Sequence, residues 1–413
     1  MKTYIFISRR ICGITGAQQY VYNKMQYLES HGWRVLIFSS LHGKVLIHEF
    51  ERFKKYVIPS LYLSPRCFRR SEVESTINTI VKEVGDLDGA ECIVESDAFH
   101  RAIWAELIAS RLNGRHLAFF MQEKHDYDEQ MKDFLMFKYN RHELAGIAAV
   151  SINQMLGNVE QRADTKFSAY CHNVIDDCED RYSDLLDKNA DYTIGSLGRL
   201  DKICVPAIVD GFCSYVNSHP SNKFNIVMIG GALLKGREDA IREKLNHCEN
   251  VHLVMTGNVY PVPFSFVNKI DVFVSTAGAA TATYLAGFPT IKVNPQSGEP
   301  IGIIGLDYKP KTRSMYESGL GLTIEDCIDR AIHEKDQIVY SGSHGEDYIQ
   351  KMNNEYERQL SFVKIAETND YYDDELLRKM KAPNNSGYFK PWLLGHILGG
   401  KGFSFVWKVI RKH

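Results

Sequence analysis

Short apolar runs alternate with amphipathic segments along most of this 413-residue chain, and few folds accept that alternation. The runs at 4–8, 33–38, 91–95, 116–121 and 147–151 are too short for helices and read as buried strands. A second series follows at 193–197, 225–229, 251–255, 272–274 and 290–293. Between them, 17–30, 75–84, 98–112, 133–143, 207–218 and 237–245 read as helices. In the first of these Ala17, Val21, Met25 and Leu28 recur at helical spacing. Strand–helix alternation builds parallel sheets with helices on both faces. Two such series imply an α/β protein of two doubly wound, Rossmann-like domains facing a cleft. The length allows each its own core. The polar, charged stretch 176–191 reads as the linker. The expected domains are 1–180 and 191–366, followed by a tail at 367–413.

Residues 271–295 carry the clearest local signal. The strand 272–274 breaks at Ser275–Thr276 into a loop of small residues, 277–281. A short helix follows, closed by Gly287 and Pro289, and then the strand 290–293. A strand, a glycine-bearing turn and a helix N-terminus present backbone N–H groups to an anion. Gly278 and Ala279 would let a phosphate approach, and Thr281 could add a hydroxyl. The loop after the first strand, with Gly13 and Gly16, reads either as a tight turn or as a floor for a ligand. It is not GxGxxG, which argues against a dinucleotide cofactor; no cofactor is expected. The strand 116–121 exits into Gln122-Glu123-Lys124-His125-Asp126, a polar cluster where α/β proteins place working residues.

Composition excludes several classes. A formal net charge of −2 gives no bulk electrostatic case for nucleic acid. The nine cysteines are dispersed without a CxxC, which fits a reducing compartment. Cys171, His172 and Cys178 match no common zinc spacing and read as ordinary thiols. Arg9 and Arg10 cut short the apolar start, so it is not a signal peptide. The longest uncharged run, 272–291, holds four threonines, two glycines, Ser275 and Pro289 and makes a poor membrane helix. A cytoplasmic protein is expected, or a peripheral one at the inner face of the plasma membrane. After Glu375 the chain has no acid but eight Lys or Arg, with Tyr388, Phe389, Trp392, Phe403, Phe405 and Trp407. Residues 384–413 therefore read either as a membrane-surface segment or as a tail packing its aromatics on the body. Gly395, Gly399, Gly400 and Gly402 argue against one continuous helix there. Lys54, Lys55, Arg66, Arg69 and Arg70 form a second basic stretch, acceptor-side, membrane-facing or simply solvated.

The order of motifs resembles the two-domain GT-B glycosyltransferases of the retaining family-four type. It runs through the glycine loop and GAQQYVYNKMQYLESHGWRV, AVS at 149–151, HNVID at 172–176 and IGSLGRLDK at 194–202. IVMIGG at 226–231, VHLVMTGNV at 251–259, DVFVS and AGFP at 286–289 complete it. The resemblance implies a nucleotide-sugar donor in the C-terminal domain and an acceptor on the N-terminal one. Its phosphate-binding arginine falls on Arg199. Lys202 lies slightly before the family's partner lysine. A fixed guanidinium there stabilises the charge that grows on the leaving diphosphate.

The donor loop departs from the family. Its two glutamates, seven residues apart, are absent, and Ala282 stands at the second. The loop is more similar to that of the lipid-II-forming N-acetylglucosaminyltransferase. Gly278 and Thr281 fit that spacing, and Tyr284 takes the place of its ribose-binding glutamate. Glu299, after the next strand, could replace that carboxylate or be an exposed loop acid. Counting to the family's sugar-side histidine reaches Gln122; Glu123 or His125 could act as a base and Gln122 could not. Asn173 and Asp176 match an interdomain turn of structural role. No metal is expected, because cations can replace one and no DxD ends a suitable strand. The expectation is a hexosyltransferase moving a sugar from UDP- or GDP-sugar to a glycan or lipid-linked glycan, in surface-polysaccharide synthesis. A sugar-nucleotide 2-epimerase and a non-catalytic nucleotide-sugar-binding protein are the alternatives.

Overall fold

The computed structural model describes all residues except 42, 121–126, 147–151, 153–155, 157–164, 166, 168–173, 233, 309–318, 341–345, 382–388 and 411–413. Met1–Tyr170 with Gln350–His413 form one compact unit, and Cys171–Ile349 form another.

The first unit is built on a parallel sheet of β1 (Thr3–Arg10), β2 (Arg34–Leu41), β3 (Cys92–Ser96), β4 (Arg115–Phe120) and β5 (Leu144–Gly146). The spatial order is β2-β1-β3-β4-β5. Helices α1 (Gly16–Ser30), α2 (Arg70–Val84), α3 (Phe99–Leu112) and α4 (Glu129–Asn140) make the connections. The strands are apolar along their length because helices cover both faces; Tyr4, Ile5, Phe6 and Ile7 are all buried. Strand order reverses between β1 and β3. Parallel sheets open a crevice at such a point, outside the strands' C-terminal ends. Gly13 and Gly16, which follow β1, lie at that reversal. β5 begins earlier than the strand expected at 147–151, which falls outside the described residues.

The second unit has β6 (Ile175–Asp176), β7 (Tyr192–Leu197), α5 (Val205–Ser218), β8 (Phe224–Ile229), α6 (Arg237–Leu245) and β9 (Val251–Gly257). It continues with β10 (Val262–Pro263), α7 (Phe264–Val267), β11 (Val272–Ser275), α8 (Ala277–Leu285), β12 (Thr290–Val293), β13 (Pro300–Ile303) and α9 (Ile324–His333). Its main sheet runs β13-β12-β11-β7-β8-β9, parallel except for the β12/β13 pair. Order reverses between β7 and β11. The stretch 176–191 is not a free linker. Tyr182 packs 5.5 Å from Phe266, Asp180 accepts from Ser183 and Ser265, and Asp187 is tied to Asn225. These contacts make it part of the second unit.

Three C-terminal helices follow, α10 (Glu346–Phe362), α11 (Asp374–Lys379) and α12 (Phe389–Ile410). Residues 350–366, read from sequence as belonging to the second domain, pack within the first unit. Gln359 accepts from Tyr20 at 2.9 Å and from Lys24 at 2.5 Å, and Tyr356 and Phe362 are buried. The tail beyond is likewise part of this unit. Arg141 pairs with Asp370, and Ser64 donates to the Met380 carbonyl at 2.7 Å. α12 breaks at Gly399, whose φ of 65° and ψ of −179° are not helical.

Candidate functional site

The reversal between β7 and β11 gathers residues from three loops of the second unit. Leu197 N–H donates to Ser275 Oγ at 3.0 Å, fastening the two strand ends together. Beyond β7 the backbone turns at Gly198, whose N–H bonds to Ile229 O, while Leu200 N–H bonds to Gly231 O. Gly230 lies so close to the Gly198 carbonyl that a Cβ there would collide with it. Only glycine permits this crossing of two backbones. Three elements thus fix the position of the segment 198–202.

Lys202 curls back over that turn. A methyl group at position 198 would meet Lys202 Nζ at 3.5 Å and the Ala279 methyl at 3.9 Å. The ammonium therefore lies close to the first turn of α8. Burial pushes its pKa below that of an ordinary lysine, and the neighbouring Arg199 guanidinium adds to the effect. Arg199 Nε lies 3.5 Å from Asp201 Oδ1, with the side chain 37% exposed. The Lys202 ammonium stands beside a helix start, where N–H groups lack intrahelical partners and the dipole favours an anion, and Arg199 is close enough to Lys202 to act on its charge. The arrangement can hold a diphosphate.

The sequence predicts a loop at 277–281, but α8 already begins at Ala277, so these small residues form its first turns. The residue in the left-handed region is Ala277, at φ 53°, and not Gly278. Holding a non-glycine residue there costs about 1–2 kcal/mol. Gly278 is exposed, and a Cβ there would meet nothing within 4 Å, which leaves its backbone open to approach. Thr276, the residue before the helix, is 3% exposed, and its hydroxyl is buried without a hydrogen-bond partner. Sequence reasoning passed over it; the only signal was the strand's break at Ser275–Thr276.

The expected residues divide. Arg199, Lys202, Gly278 and Ala279 converge on the reversal. Thr281 is half-buried and donates to the Ala277 carbonyl at 3.4 Å. Tyr284 faces the core, 1% exposed, with its hydroxyl on Val339 O at 2.7 Å and its ring stacked on Tyr340. Its apolar surroundings, rather than a ligand, hold it there, so it is not retained as a donor contact. Glu299 is exposed in the β12–β13 loop and accepts from Ser297. That loop packs on the start of α5, where a Cβ at Gly298 would lie 2.5 Å from Ala207. Glu299 thus stays at the same end of the sheet as Lys202. Gly13 and Gly16 belong to the first unit, and Gly13 takes φ 72°. Glu123 and His125 lie outside the described residues. Among the described residues, no group of three or more His, Cys, Asp or Glu side chains could hold a metal ion.

The two doubly wound units are those of the GT-B glycosyltransferase fold. A glycosyltransferase from Rickettsia africae is similar over 95% of this chain and 98% of its own, at 12% identity and a TM-score of 0.55. HepE from Anabaena, solved with UDP, is similar over 92% and 98% of the two chains, at 11% identity and a TM-score of 0.51. A UDP-GlcNAc 2-epimerase from Methanocaldococcus jannaschii aligns over 88% and 100% of the two chains, at 13% identity and a TM-score of 0.43. No protein-family model and no curated protein matches the chain.

Proposed function

We propose that the protein is a glycosyltransferase that moves a hexosyl unit from a UDP- or GDP-sugar to a glycan hydroxyl, with retention. The observation that carries this reading is the convergence of Lys202, the Gly198 turn and Ala279 at the β7/β11 reversal. Arg199 and Lys202 would take up the negative charge that grows on the diphosphate as the glycosidic bond breaks. The N–H groups at the start of α8 would bind the same phosphates, with the Thr276 hydroxyl as a further donor. Glu299, exposed at this end of the unit, would be the carboxylate that holds the ribose. The leaving phosphate can accept the acceptor's proton, so the reaction does not demand a strong protein base. Glu123 and His125 remain the acceptor-side candidates from sequence. The solved complex of HepE with UDP and glucose supports a donor of this class. A lipid-linked glycan of surface-polysaccharide synthesis is the proposed acceptor, with the protein peripheral at the membrane's inner face.

The test is incubation with a panel of nucleotide sugars and lipid-linked acceptors, read as release of nucleoside diphosphate. Arg199→Ala is expected to lower turnover by roughly 10²–10³-fold, and near-normal turnover would remove Arg199 from the mechanism. NMR of the donor sugar without acceptor separates transfer from 2-epimerisation. Donor binding in calorimetry with no turnover on any acceptor would favour a non-catalytic binding protein. Activity is expected to survive a chelator; loss restored by Mn²⁺ would show that a metal takes part.

A further inference from the structure

The near-neutral total charge conceals an uneven distribution. Residues 52–71 hold six Lys or Arg and no acid, and residues 376–413 hold eight and no acid. Together they take 14 of the 49 cationic side chains and none of the 51 carboxylates. They lie far apart in the chain, and the first unit brings them into contact. The Arg66 guanidinium donates to the Lys379 carbonyl at 3.1 Å. His396 Nδ1 lies 3.1 Å from the Cys67 carbonyl. Gly395 sits so close to that carbonyl that a Cβ there would collide with it, and a Cβ at Gly400 would lie 2.9 Å from Ser60 N. The small residues of α12 are its contact face with 60–67.

Among the described residues, the opposite side of α12 has no such cover. Leu393 is 39% exposed, Ile397 62% and Leu398 42%; beyond the break at Gly399, Phe405 is 69% exposed. Leu393 and Ile397 are one turn apart, so they share a face. Arg69, Arg70, Lys379 and Lys381, on the neighbouring segments, are exposed. Carboxylates offset part of this charge. Arg70 pairs with Glu375 at 2.9 Å, Arg378 with Glu74 and Asp374, and Lys379 approaches Glu375 at 3.9 Å, while Glu72 accepts from Gly400 N–H. Within the two segments themselves no carboxylate is available to do so.

We propose that this joined face is a docking surface for an anionic lipid bilayer. α12 lies in the plane of the interface with Leu393, Ile397, Leu398 and Phe405 against the acyl boundary, and Arg69, Arg70, Lys379 and Lys381 meet headgroup phosphates. An apolar helical face bordered by Lys and Arg is the pattern of an interfacial helix. A protein partner is a poorer fit, because charged residues are depleted from the buried core of protein–protein interfaces. Among the described residues no helix is long and apolar enough to cross a membrane, so the surface lies on the bilayer. The inference deepens the peripheral location proposed above and does not rest on the transfer chemistry, so vesicle binding and turnover can fail independently.

The experiment is co-sedimentation of the full chain with phosphatidylcholine vesicles that contain or lack phosphatidylglycerol, at low and high salt. Each cation near an anionic surface is worth about fivefold in partition. The expected result is binding to the anionic vesicles alone, weakened by salt. Arg69→Gln with Lys381→Gln should weaken it by about tenfold or more, and Ile397→Glu with Leu398→Glu by at least as much. Thermal melting reports whether each variant folds; if the glutamate pair does not melt cooperatively, the Gln pair decides. Equal sedimentation with neutral vesicles overturns the proposal, as does binding that both variants leave intact. So does a dimer, seen by sedimentation velocity, that the glutamate pair converts to monomer without altering vesicle binding, since the face would then be a self-association surface.

Discussion

The Lys202 ammonium lies against the Gly198 turn, where a methyl group at 198 would stand 3.5 Å from Nζ. Burial and Arg199 both disfavour its charge and lower its pKa. A bound diphosphate would reverse that balance, since an opposite charge favours the protonated form. The two states therefore respond to pH in opposite ways. Between the lowered pKa and 10.5 the unfolded chain holds a proton that the folded one has released, so the unliganded protein gains stability as pH rises. Donor affinity should instead fall over that range. Calorimetric titration with UDP at several alkaline pH values tests this. In Lys202→Met the pH dependence should flatten and turnover should drop by roughly 10²-fold.

Thr276 supplies a second test at the same site. A buried hydroxyl without a partner costs about 1–3 kcal/mol, which the folded protein carries while the site is empty. Thr276→Val keeps the shape and removes that cost. We expect a melting temperature higher by about 2–4 °C, for a gain of about 1 kcal/mol. UDP affinity should fall by about tenfold, because the hydroxyl's ligand contact is lost as well. A variant with unchanged affinity would place Thr276 outside the donor site.

Much of this arrangement was legible before the coordinates. Most strands of the two main sheets are buried runs, the edge strand β9 excepted, so composition marks them, and α6 and β12 fall where the pattern put them. The motif order singled out Arg199 and Lys202 as candidates, and Lys202 does lie against the Gly198 turn. What the sequence did not carry is set by contacts distant in the chain. Tyr284 sits at a spacing that suits a ribose ligand, yet the Val339 carbonyl and Tyr340 draw it into the core. Ala277 takes a left-handed conformation that its residue type does not announce. The short antiparallel β13 has no helical partner to announce it. The basic stretch at 54–70 and the C-terminal tail looked like separate features, because nothing local reveals that Cys67 meets Gly395.

Acid should destabilise the first unit in two stages. His116 is buried with Nδ1 2.7 Å from Glu106 and Nε2 2.9 Å from Ser96 Oγ. Burial, aided by Lys138, holds its pKa below 6.5. The unfolded chain thus takes up a proton near 6.5 that the folded state refuses, and stability falls as pH drops below that value. Glu106 responds lower down. Burial raises its pKa, but Lys138 and His116 outweigh this and hold it at about 2 against the usual 4.5. Its contribution is complete above 4.5 and disappears as pH falls towards 2. Melting temperatures recorded from neutral to acid pH should decline first below about 6.5 and more steeply below about 4.5. In His116→Gln the first decline should shrink, and a superimposable profile would show that other groups cause it.

The Lys24–Glu95 pair joins three parts of the first unit and should respond to mutation as one group. The two side chains meet at 2.5 Å, 0% and 2% exposed. Tyr4 donates to the same carboxylate, and Gln359 from α10 accepts from Lys24. Removing one partner of a buried pair strands the other charge and costs about 3–5 kcal/mol, whereas replacing both with apolar residues is often close to neutral. Lys24→Met should therefore be severely destabilising, and Lys24→Met with Glu95→Leu should recover most of the loss. Urea unfolding of the two single variants and the double variant gives the coupling between them. The double variant should also loosen α10, because Gln359 would lose its ammonium partner. Limited proteolysis should then cut within α10 sooner than in the parent. If the two substitutions simply add, and cleavage is unchanged, the cluster is not what fastens the C-terminal helices to the sheet.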